Sequence, residues 1–328
     1  MRGMRATLLI CMLGAGMSPL ASAAEAADVR FATCGLGSSW YNYGAGIGEL
    51  AKANLPAGSS VSVLPVACGV GNVKLIQQGE AELGMSFPTA TKPGCEGRAP
   101  FEAKQDKVRG VLGGLDTYYF GAFVTAKSGI TSWDQIVSGD RKVRLITAKV
   151  GGTGEQTVRQ VLDAYGVDYE FIEAQGGSVK SLKRAATSSA VADGRADMWA
   201  HIVTKGHPAA TELTTVNQMR VLPLSGAVIE KMKAHGFVPA TLPAGTFPGQ
   251  SEAVQTIKTA TNVISRPGVS DEVVYAFTKA IVENDAKLGE IHAALTQFDP
   301  KSAADPALNG GCPLHPGAVR YYKEAGLM

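Results

Sequence analysis

The sequence predicts an α/β protein built as two lobes, joined by a hinge with two chain crossings and separated by a ligand cleft. Short apolar runs alternate with glycine-rich turns and amphipathic segments, which is typical of strand–turn–helix units. A second series of such units starts near residue 142, and the run 256–266 is long enough to return the chain to the first lobe. With about 300 residues after a predicted export signal, the chain also exceeds the size at which a single core stops growing.

Residues 1–23 are typical of a cleaved export signal. Two arginines precede the apolar stretch "ATLLICMLGAGM", and Ala21-Ser22-Ala23 is a small-residue cleavage site. We therefore expect cleavage near Ala23 and a periplasmic location. The apolar stretch is shorter than the roughly 20 residues that span a membrane, so no direct membrane insertion is expected.

The charge balance argues against partners that bind by bulk electrostatics. The whole chain has 31 basic and 29 acidic residues, and without the predicted signal it carries 29 of each sign. Such a chain has no net positive charge with which to attract nucleic acid or an anionic bilayer. We therefore expect no nucleic-acid partner.

The first lobe is predicted to span 24–124 and 263–328. Its opening elements follow in order: strand 29–33, a glycine turn, a helix from about Tyr41 to Ala53, strand 60–66, a second glycine turn, helix 73–82 and strand 83–87. Two strand–turn–helix units in succession favour a parallel sheet. Near its end, Ser270 is expected to cap a helix whose buried stripe is Val273, Val274, Phe277 and Ile281, and a last helix ends the chain.

The second lobe is predicted to span 125–262. Strand 142–148 leads into a third glycine turn and a helix that ends at Tyr165, where Gly166 terminates it. The apolar stripe of this helix has helical spacing: Val158, Val161, Leu162 and Tyr165. The segment 169–174 is then predicted as a strand, 175–185 as a turn and helix, and 196–202 and 219–224 as further strands.

The three glycine turns share one design, in which glycines with Ser, Thr or Asn stand between a strand and a helix. They occupy 35–39, 69–72 and 151–154. Unpaired backbone N–H groups and the positive end of the helix dipole make such a turn an anion site. If the sheets are parallel, all three turns face one cleft, so the sequence predicts a binding site for a small anion.

Nucleotide binding and catalysis lack their usual patterns. Trp40 stands where a dinucleotide fingerprint needs its third glycine, and no acidic residue lies between Glu49 and Glu80. No glycine turn ends in Gly-Lys-Ser/Thr, and no paired Cys/His spacing indicates a metal. "GMSFP" approaches a nucleophile elbow at Ser86, but Pro88 replaces the last glycine. His201 is interpreted as either structural or facing the cleft. We therefore expect neither an enzyme nor a cofactor.

Four cysteines remain once the signal and its Cys11 are removed. An even count in an oxidising compartment indicates two disulfides, for which three pairings exist among Cys34, Cys68, Cys95 and Cys312. Cys34 and Cys68 each end a predicted strand, so they pair if those strands are neighbours. That arrangement leaves Cys95 with Cys312.

Segments along nearly the whole mature chain resemble TAXI-type solute-binding proteins, the extracytoplasmic receptors of one class of TRAP transporters. They include "GLGSSWYNYGAGIGELAKANLP", "CGVGNVKLIQQGEAELGMSF", "GGTGEQTVRQVLDAYGV", "AGTFPGQ" and "HPGAVRYYKEAGL". The resemblance implies the type II periplasmic-binding-protein fold and capture of a small organic anion of the glutamate or 2-oxoglutarate type. It also implies delivery to the membrane subunits of a TRAP permease, and a monomer is the default expectation.

Matching the family's ligand turns to this sequence implies a set of ligand-binding residues. They are Gly37, Ser38 and Tyr41 in the first turn, Gly71 and Asn72 in the second, Thr153 and Gly154 in the third, and Ser86 where the family often has a glutamine. Trp40, Tyr41 and Phe87 are departures that favour a bulkier or aromatic acid or else belong to the core. Two alternatives are a receptor of the same fold for an ABC importer or sensor kinase, and an exported serine hydrolase that uses Ser86.

Overall fold

The computed structural model of the protein describes residues 25–36, 38–66, 68–148, 150, 152–182 and 184–328. The predicted export signal and Gly37 lie outside these residues. Within them the chain forms two β-sheets with helices packed on both, which confirms the predicted α/β class. No helix in the described part of the chain is long and apolar enough to cross a membrane.

The first sheet has the strand order β2-β1-β3-β12-β4. Its strands are β1 (Asp28–Ala32), β2 (Ser60–Leu64), β3 (Leu83–Ser86), β4 (Arg109–Leu112) and β12 (Asn262–Ser265). β1 pairs in parallel with both β2 and β3, as the two successive strand–turn–helix units predict. β12 returns late in the chain and lies antiparallel between β3 and β4.

The second sheet has the order β10-β11-β5-β8-β6-β7, and β9 also pairs with β5. Its strands are β5 (Tyr118–Thr125), β6 (Arg144–Thr147), β7 (Ser178–Ser181), β8 (Met198–Val203), β9 (Met219–Val221), β10 (Val238–Leu242) and β11 (Val254–Thr259). β6 is parallel to β7 and β8, whereas β5 is antiparallel to β8 and β11.

Helices follow the strands along the chain and pack against the two sheets. The helices are α1 (Ser39–Lys52), α2 (Gly69–Gln78), α3 (Pro88–Glu96), α4 (Asp134–Val137), α5 (Thr153–Tyr165), α6 (Tyr169–Ala174), α7 (Arg184–Ala192), α8 (Pro208–Val216), α9 (Gly226–Met232), α10 (Asp271–Val282), α11 (Asp285–Ile291) and α12 (Pro316–Glu324). Short 3₁₀ turns cover 126–128, 233–235, 293–297 and 300–302. α5 ends at Tyr165 before a left-handed Gly166, and Ser270 caps α10, both as predicted.

The core of the first sheet follows the alternation of side chains along a strand. Phe31 of β1 packs edge-on against Phe277 of α10, with ring centroids 5.7 Å apart. Its neighbour Ala32 points to the opposite face and joins a buried cluster with Val73 and Ile76 of α2. Helices therefore cover both faces of the sheet, and the carboxyl ends of β1 and β3 are left for the loops.

One predicted strand is wrong. The segment 169–174 is the helix α6, because Asp168 caps it by accepting a hydrogen bond from Phe171 N at 2.8 Å. The following segment, predicted as a turn and helix, supplies the strand β7 instead. The alternation of aromatic residues with glutamates in "YEFIEA" resembles a strand, but the capping aspartate favours the helix.

The chain passes between the sheets through residues 112–118 and 259–262. β5 pairs only within the second sheet among the described strands, so the predicted lobe boundary between 124 and 125 would divide this strand. The pairing moves the first crossing to the segment before Tyr118, while the division into two lobes remains a proposal.

The two crossings are joined by a buried carboxylate. Asp116 is 1% exposed, and its two oxygens accept hydrogen bonds from Thr261 N at 2.7 Å and Tyr43 OH at 3.1 Å. Leu115 N donates to Thr261 O at 3.1 Å, so the crossings also pair through the backbone. Burial raises the pKa of Asp116 to about 6, although the hydrogen bonds from Thr261 and Tyr43 oppose the shift.

The first prediction concerns Asp116→Asn. Between pH 3.8 and about 6 the native state binds more protons at Asp116 than the unfolded chain does, so stability falls as pH rises through this window. The asparagine cannot titrate and keeps an oxygen acceptor for Thr261. Urea unfolding should therefore show that the variant gains about 2.4 kcal/mol relative to the native protein between pH 4 and pH 7.5. The exposed variant Asp140→Asn is the control, and equal pH dependence in both variants would contradict the assignment.

Candidate functional site

A cavity of about 530 Å³ lies between the two sheets, and both sheets contribute to its wall. The first-sheet side is formed by Cys34, residues 38–40 and 68–71, and Phe87. The second-sheet side is formed by Tyr118, Ala148, residues 152–154, Gln156, His201, Ile202 and His207. A volume of this size accommodates one small molecule.

Three helices begin at the cavity wall. α1 is capped by Ser38, whose hydroxyl accepts from Tyr41 N at 3.1 Å and so satisfies one first-turn donor. The N-caps of α2 and α5, Cys68 and Gly152, make no side-chain cap hydrogen bond. The first turns of α2 and α5 are therefore not satisfied by a capping side chain, and they present the positive ends of two helix dipoles to the cavity.

The starts of α2 and α5 approach each other from opposite sheets. A methyl group placed on Gly69 would lie 3.7 Å from Thr153 Oγ1. The small residues at the start of α2 thus allow its backbone to come close to the hydroxyl of Thr153. A ligand in the cavity is in reach of both helix starts at once.

An aromatic wall, formed by Trp40, Phe87 and Tyr118, lies on the side of the cavity next to the second crossing. The ring centroids of Trp40 and Phe87 are 4.7 Å apart, and those of Phe87 and Tyr118 are 5.1 Å apart. Trp40 Nε1 donates to Thr261 Oγ1 at 2.8 Å, which ties the wall to the second crossing. Burial, with a further contribution from Asp116, raises the pKa of Tyr118 well above its ordinary value, so its phenol stays neutral.

Two histidines lie on the second-sheet side. The ring of His201 accepts from Ile202 N through Nδ1 at 2.7 Å, which places the proton of the neutral imidazole on Nε2. Burial, and secondarily the nearby His207, lowers the pKa of His201 to about 4. At neutral pH His201 is therefore a hydrogen-bond donor without a charge. His207 lies 5.9 Å from it, ring to ring, and accepts from Ala210 N at the start of α8.

Four of the predicted ligand residues lie in the cavity wall: Ser38, Gly71, Thr153 and Gly154. Gly37 lies outside the described residues. Tyr41, Asn72 and Ser86 are absent from the wall. Tyr41 is half-buried on α1, one residue beyond the part of that helix that reaches the cavity.

Asn72 lies behind the cavity wall and bonds to the backbone of the first sheet. Its side chain is fully buried, and Nδ2 donates to Ala32 O at 3.2 Å, Thr33 O at 2.9 Å and Met85 O at 2.8 Å. These bonds join α2 to the carboxyl ends of β1 and β3. The amide therefore orients the helix that faces the cavity.

Ser86 is not placed to be a nucleophile. It is fully buried, and its hydroxyl donates to Gly69 O at 3.3 Å. The serine-hydrolase alternative needs a hydroxyl that reaches the cavity, and Ser86 does not line it. Within the described residues, no group of three or more His, Cys, Asp or Glu side chains is placed to hold a metal ion.

Several other residues of the cavity wall were not predicted from the sequence, among them Ser39, Tyr118, Gln156 and His207. Tyr118 and His207 come from strand β5 and from the loop before α8, far apart along the chain. Their convergence depends on the order of strands in the second sheet, which no local pattern reveals. For His207, the local sequence feature is the pair His207-Pro208, which marks the start of α8.

The structure contains the disulfides Cys34–Cys68 and Cys95–Cys312, which is one of the three pairings that the sequence left open. Cys34 follows β1, and Cys68 is the N-cap of α2. Both line the cavity, so one covalent bridge joins two of its turns.

Comparison with known proteins gives a family and a fold. The model of the NMT1-like family matches residues 31–326. Among solved structures, PhnD1 from Prochlorococcus marinus in complex with methylphosphonate has a TM-score of 0.53 at 9% identity, over 92% of this chain and 99% of that one. MatC from Rhodopseudomonas palustris with bound malate has a TM-score of 0.51 at 10% identity, over 92% and 98%. A protein from Bordetella bronchiseptica RB50 has a TM-score of 0.51 at 15% identity, also over 92% and 98%.

The family match corrects the resemblance drawn from the sequence. The prediction of a TAXI-type receptor is wrong, since the matching model is that of the NMT1-like family. The TRAP membrane subunits, predicted as partners from that resemblance, are not retained. The two-sheet architecture is unaffected, because the similar structures share it at low identity.

The second prediction concerns the contact between Gly154 and His201. A methyl group on Gly154 would lie 2.3 Å from both Cε1 and Nδ1 of His201, so Gly154→Ala forces the ring to move. We expect a loss of about 1–3 kcal/mol in the free energy of unfolding, although alanine favours a helix. Denaturant unfolding measures it.

The double variant Gly154→Ala/His201→Ala tests the cause. Removing the ring should make the double variant more stable than the two single effects predict, by at least about 1 kcal/mol. Gly226→Ala is the control, because it also lies in the first turn of a helix but has no neighbouring atom within 4 Å of the added methyl group. Simple additivity at residues 154 and 201 would contradict the clash.

Proposed function

The chain belongs to the NMT1-like family, and on this premise we propose that it is an extracytoplasmic solute-binding protein that captures a small organic anion and delivers it to an ABC importer. The observation that carries the proposal is the cavity between the two sheets, where α1, α2 and α5 all begin. The importer class rests on the family alone.

An anion in this cavity gains binding free energy from groups on both sheets. Each well-placed helix start contributes about 0.3–1 kcal/mol, and more where it is partly buried. Each hydrogen bond to a charged ligand adds roughly 1.5–3 kcal/mol. Micromolar affinity requires about 8 kcal/mol. The two helix starts, the hydroxyl of Thr153 and the Nε2–H of His201 reach this value only at the upper end of these ranges, so we propose that backbone N–H groups of the first turns also bond to the ligand.

The aromatic wall favours a ligand with an apolar body as well as an acidic head. Trp40, Phe87 and Tyr118 form a continuous surface beside the helix starts. The similar structures hold malate and methylphosphonate, which are small anions without a ring. In this chain we propose a carboxylate, sulfonate or phosphonate head at α2 and α5, with the remainder of the ligand against the wall.

The mechanism is a shift of the equilibrium between open and closed arrangements of the two lobes. A ligand that contacts α2 from one sheet and α5 from the other binds the closed arrangement more tightly than the open one, and this difference drives closure. The two crossings near Asp116 and Thr261 are the place where the chain would bend.

The third prediction is ligand-dependent stabilisation that requires Thr153. A thermal-shift screen of the mature protein against aliphatic and aromatic carboxylates, sulfonates and phosphonates should find ligands that raise the melting temperature. At 100 times its dissociation constant a ligand stabilises the protein by about 2.7 kcal/mol. Thr153→Val removes the hydroxyl at the start of α5 and should weaken the best ligand at least tenfold by calorimetry.

Thr215→Val is the matched control, because the hydroxyl of Thr215 is exposed on α8, bonds to Thr211 O and does not line the cavity. It should bind as the native protein does. Absence of any stabilisation across the three acid classes would overturn the proposed function, and unchanged affinity in Thr153→Val would remove α5 from the site.

A further inference from the structure

We propose that the Cys34–Cys68 disulfide is a positioning element for the ligand cavity, because it holds the first turn of α2 in the conformation that faces the ligand. The inference rests on the proposed function and assigns a role to a bridge that could otherwise be ascribed to stability. Both cysteines are half-buried and line the cavity, and they belong to the turns that follow β1 and β2.

The backbone of Cys68 adopts an unusual conformation. Cys68 has φ +62° and ψ 170°, and among the described residues it is the only non-glycine with a positive φ. This region is populated almost solely by glycine, and other residues persist there only when their surroundings hold them. Cys68 is also the N-cap of α2, directly before Gly69.

The bond network around Cys68 shows what holds it. The side chain makes no capping hydrogen bond, since its sulfur is bonded to Cys34. On its other side, Asn72 N donates to Cys68 O at 3.1 Å, and the Asn72 side chain joins α2 to the strand ends of β1 and β3. The body of α2 is thus held by Asn72, whereas the disulfide holds the residue that precedes its first turn.

The effect on the cavity follows from this division. Without the bridge, a side chain at residue 68 favours a negative φ, and the turn relaxes away from its strained conformation. The N–H groups of residues 69–71 would then shift relative to the cavity that these residues line, and Gly69 would lose its close approach to Thr153. A shift of about 1 Å in such donors is sufficient to weaken binding strongly.

The second disulfide supplies a matched control. Cys95–Cys312 joins the end of α3 to the segment before α12, and neither residue lines the cavity. Cys312 is 5% exposed and packs in the buried cluster with Val73 and Phe101. Removal of this bridge affects the stability of the same sheet without touching the cavity-lining residues 68–71.

The test compares three double variants: Cys34→Ser/Cys68→Ser, Cys34→Ser/Cys68→Gly and Cys95→Ser/Cys312→Ser. Calorimetry with malate, methylphosphonate and benzoate in turn gives the dissociation constant of each probe that the native protein binds. The serine pair at 34 and 68 should bind at least tenfold more weakly. The glycine variant should recover to within about threefold, because glycine adopts the required φ without the bridge. The control pair should bind as the native protein does.

A ligand-free readout separates this inference from the proposed function. Amide hydrogen exchange at residue 72, whose N–H donates to Cys68 O, should be at least tenfold faster in the serine pair and unchanged in the control pair, while α5 is unaffected. If the native protein binds none of the probes, the proposed function loses its support and exchange alone decides the positioning role. Native exchange and affinity in the serine pair, or equal losses in the control pair or the glycine variant, would overturn the inference.

Discussion

The carboxylate of Asp116 is the interaction on which the relation between the two sheets depends. It accepts hydrogen bonds from the second crossing through Thr261 N and from α1 through Tyr43 OH. The same helix carries Trp40, whose indole donates to Thr261 Oγ1 and whose ring forms part of the cavity wall. The crossings and the cavity wall are therefore both in contact with one helix, α1. A buried carboxylate of this kind is costly unless its acceptors are satisfied, which fixes the geometry of the crossings.

The position of the cavity follows from the strand order. β1 is parallel to β2 and β3, so the turns after β1 and β2 lie at the same edge of the first sheet. β6 contributes the equivalent turn from the second sheet, and α5 begins there. Ligands of open α/β sheets bind outside the carboxyl ends of the strands, where helix N-termini converge. The N-termini of helices from both sheets can therefore contact one anion, and this contact requires neither a bound metal nor an arginine.

The sequence predicted the repeated units, the return of the chain to the first sheet and the glycine turns, because each depends on local periodicity and turn chemistry. The prediction failed where two local signals compete. In the segment 169–174 the residue pattern favours a strand, but the N-cap Asp168 favours the helix that forms. An amide in a glycine turn, such as that of Asn72, suits a ligand or a strand end equally, and the structure shows its Nδ2 bonded to the strand ends of β1 and β3. Tyr118 and His207 required the order of the second sheet. Short motif segments suggested a TAXI-type receptor, whereas the match across 31–326 assigns the NMT1-like family.

Cys68, the residue before α2, and Asn72, in the first turn of α2, are restrained by different means, and this difference supports a role in function. Asn72 buries an amide to bond three backbone carbonyls, which stabilises the sheet as well as the helix. Cys68 adopts a conformation that glycine would occupy without strain, and glycines occupy every other described position with positive φ. A side chain at residue 68 is therefore explained by the bond that it makes to Cys34 and not by the backbone. The Cys34–Cys68 bond faces the cavity, whereas Cys95–Cys312 does not. The strain at Cys68 is therefore best explained if it keeps the first turn of α2 oriented before a ligand binds.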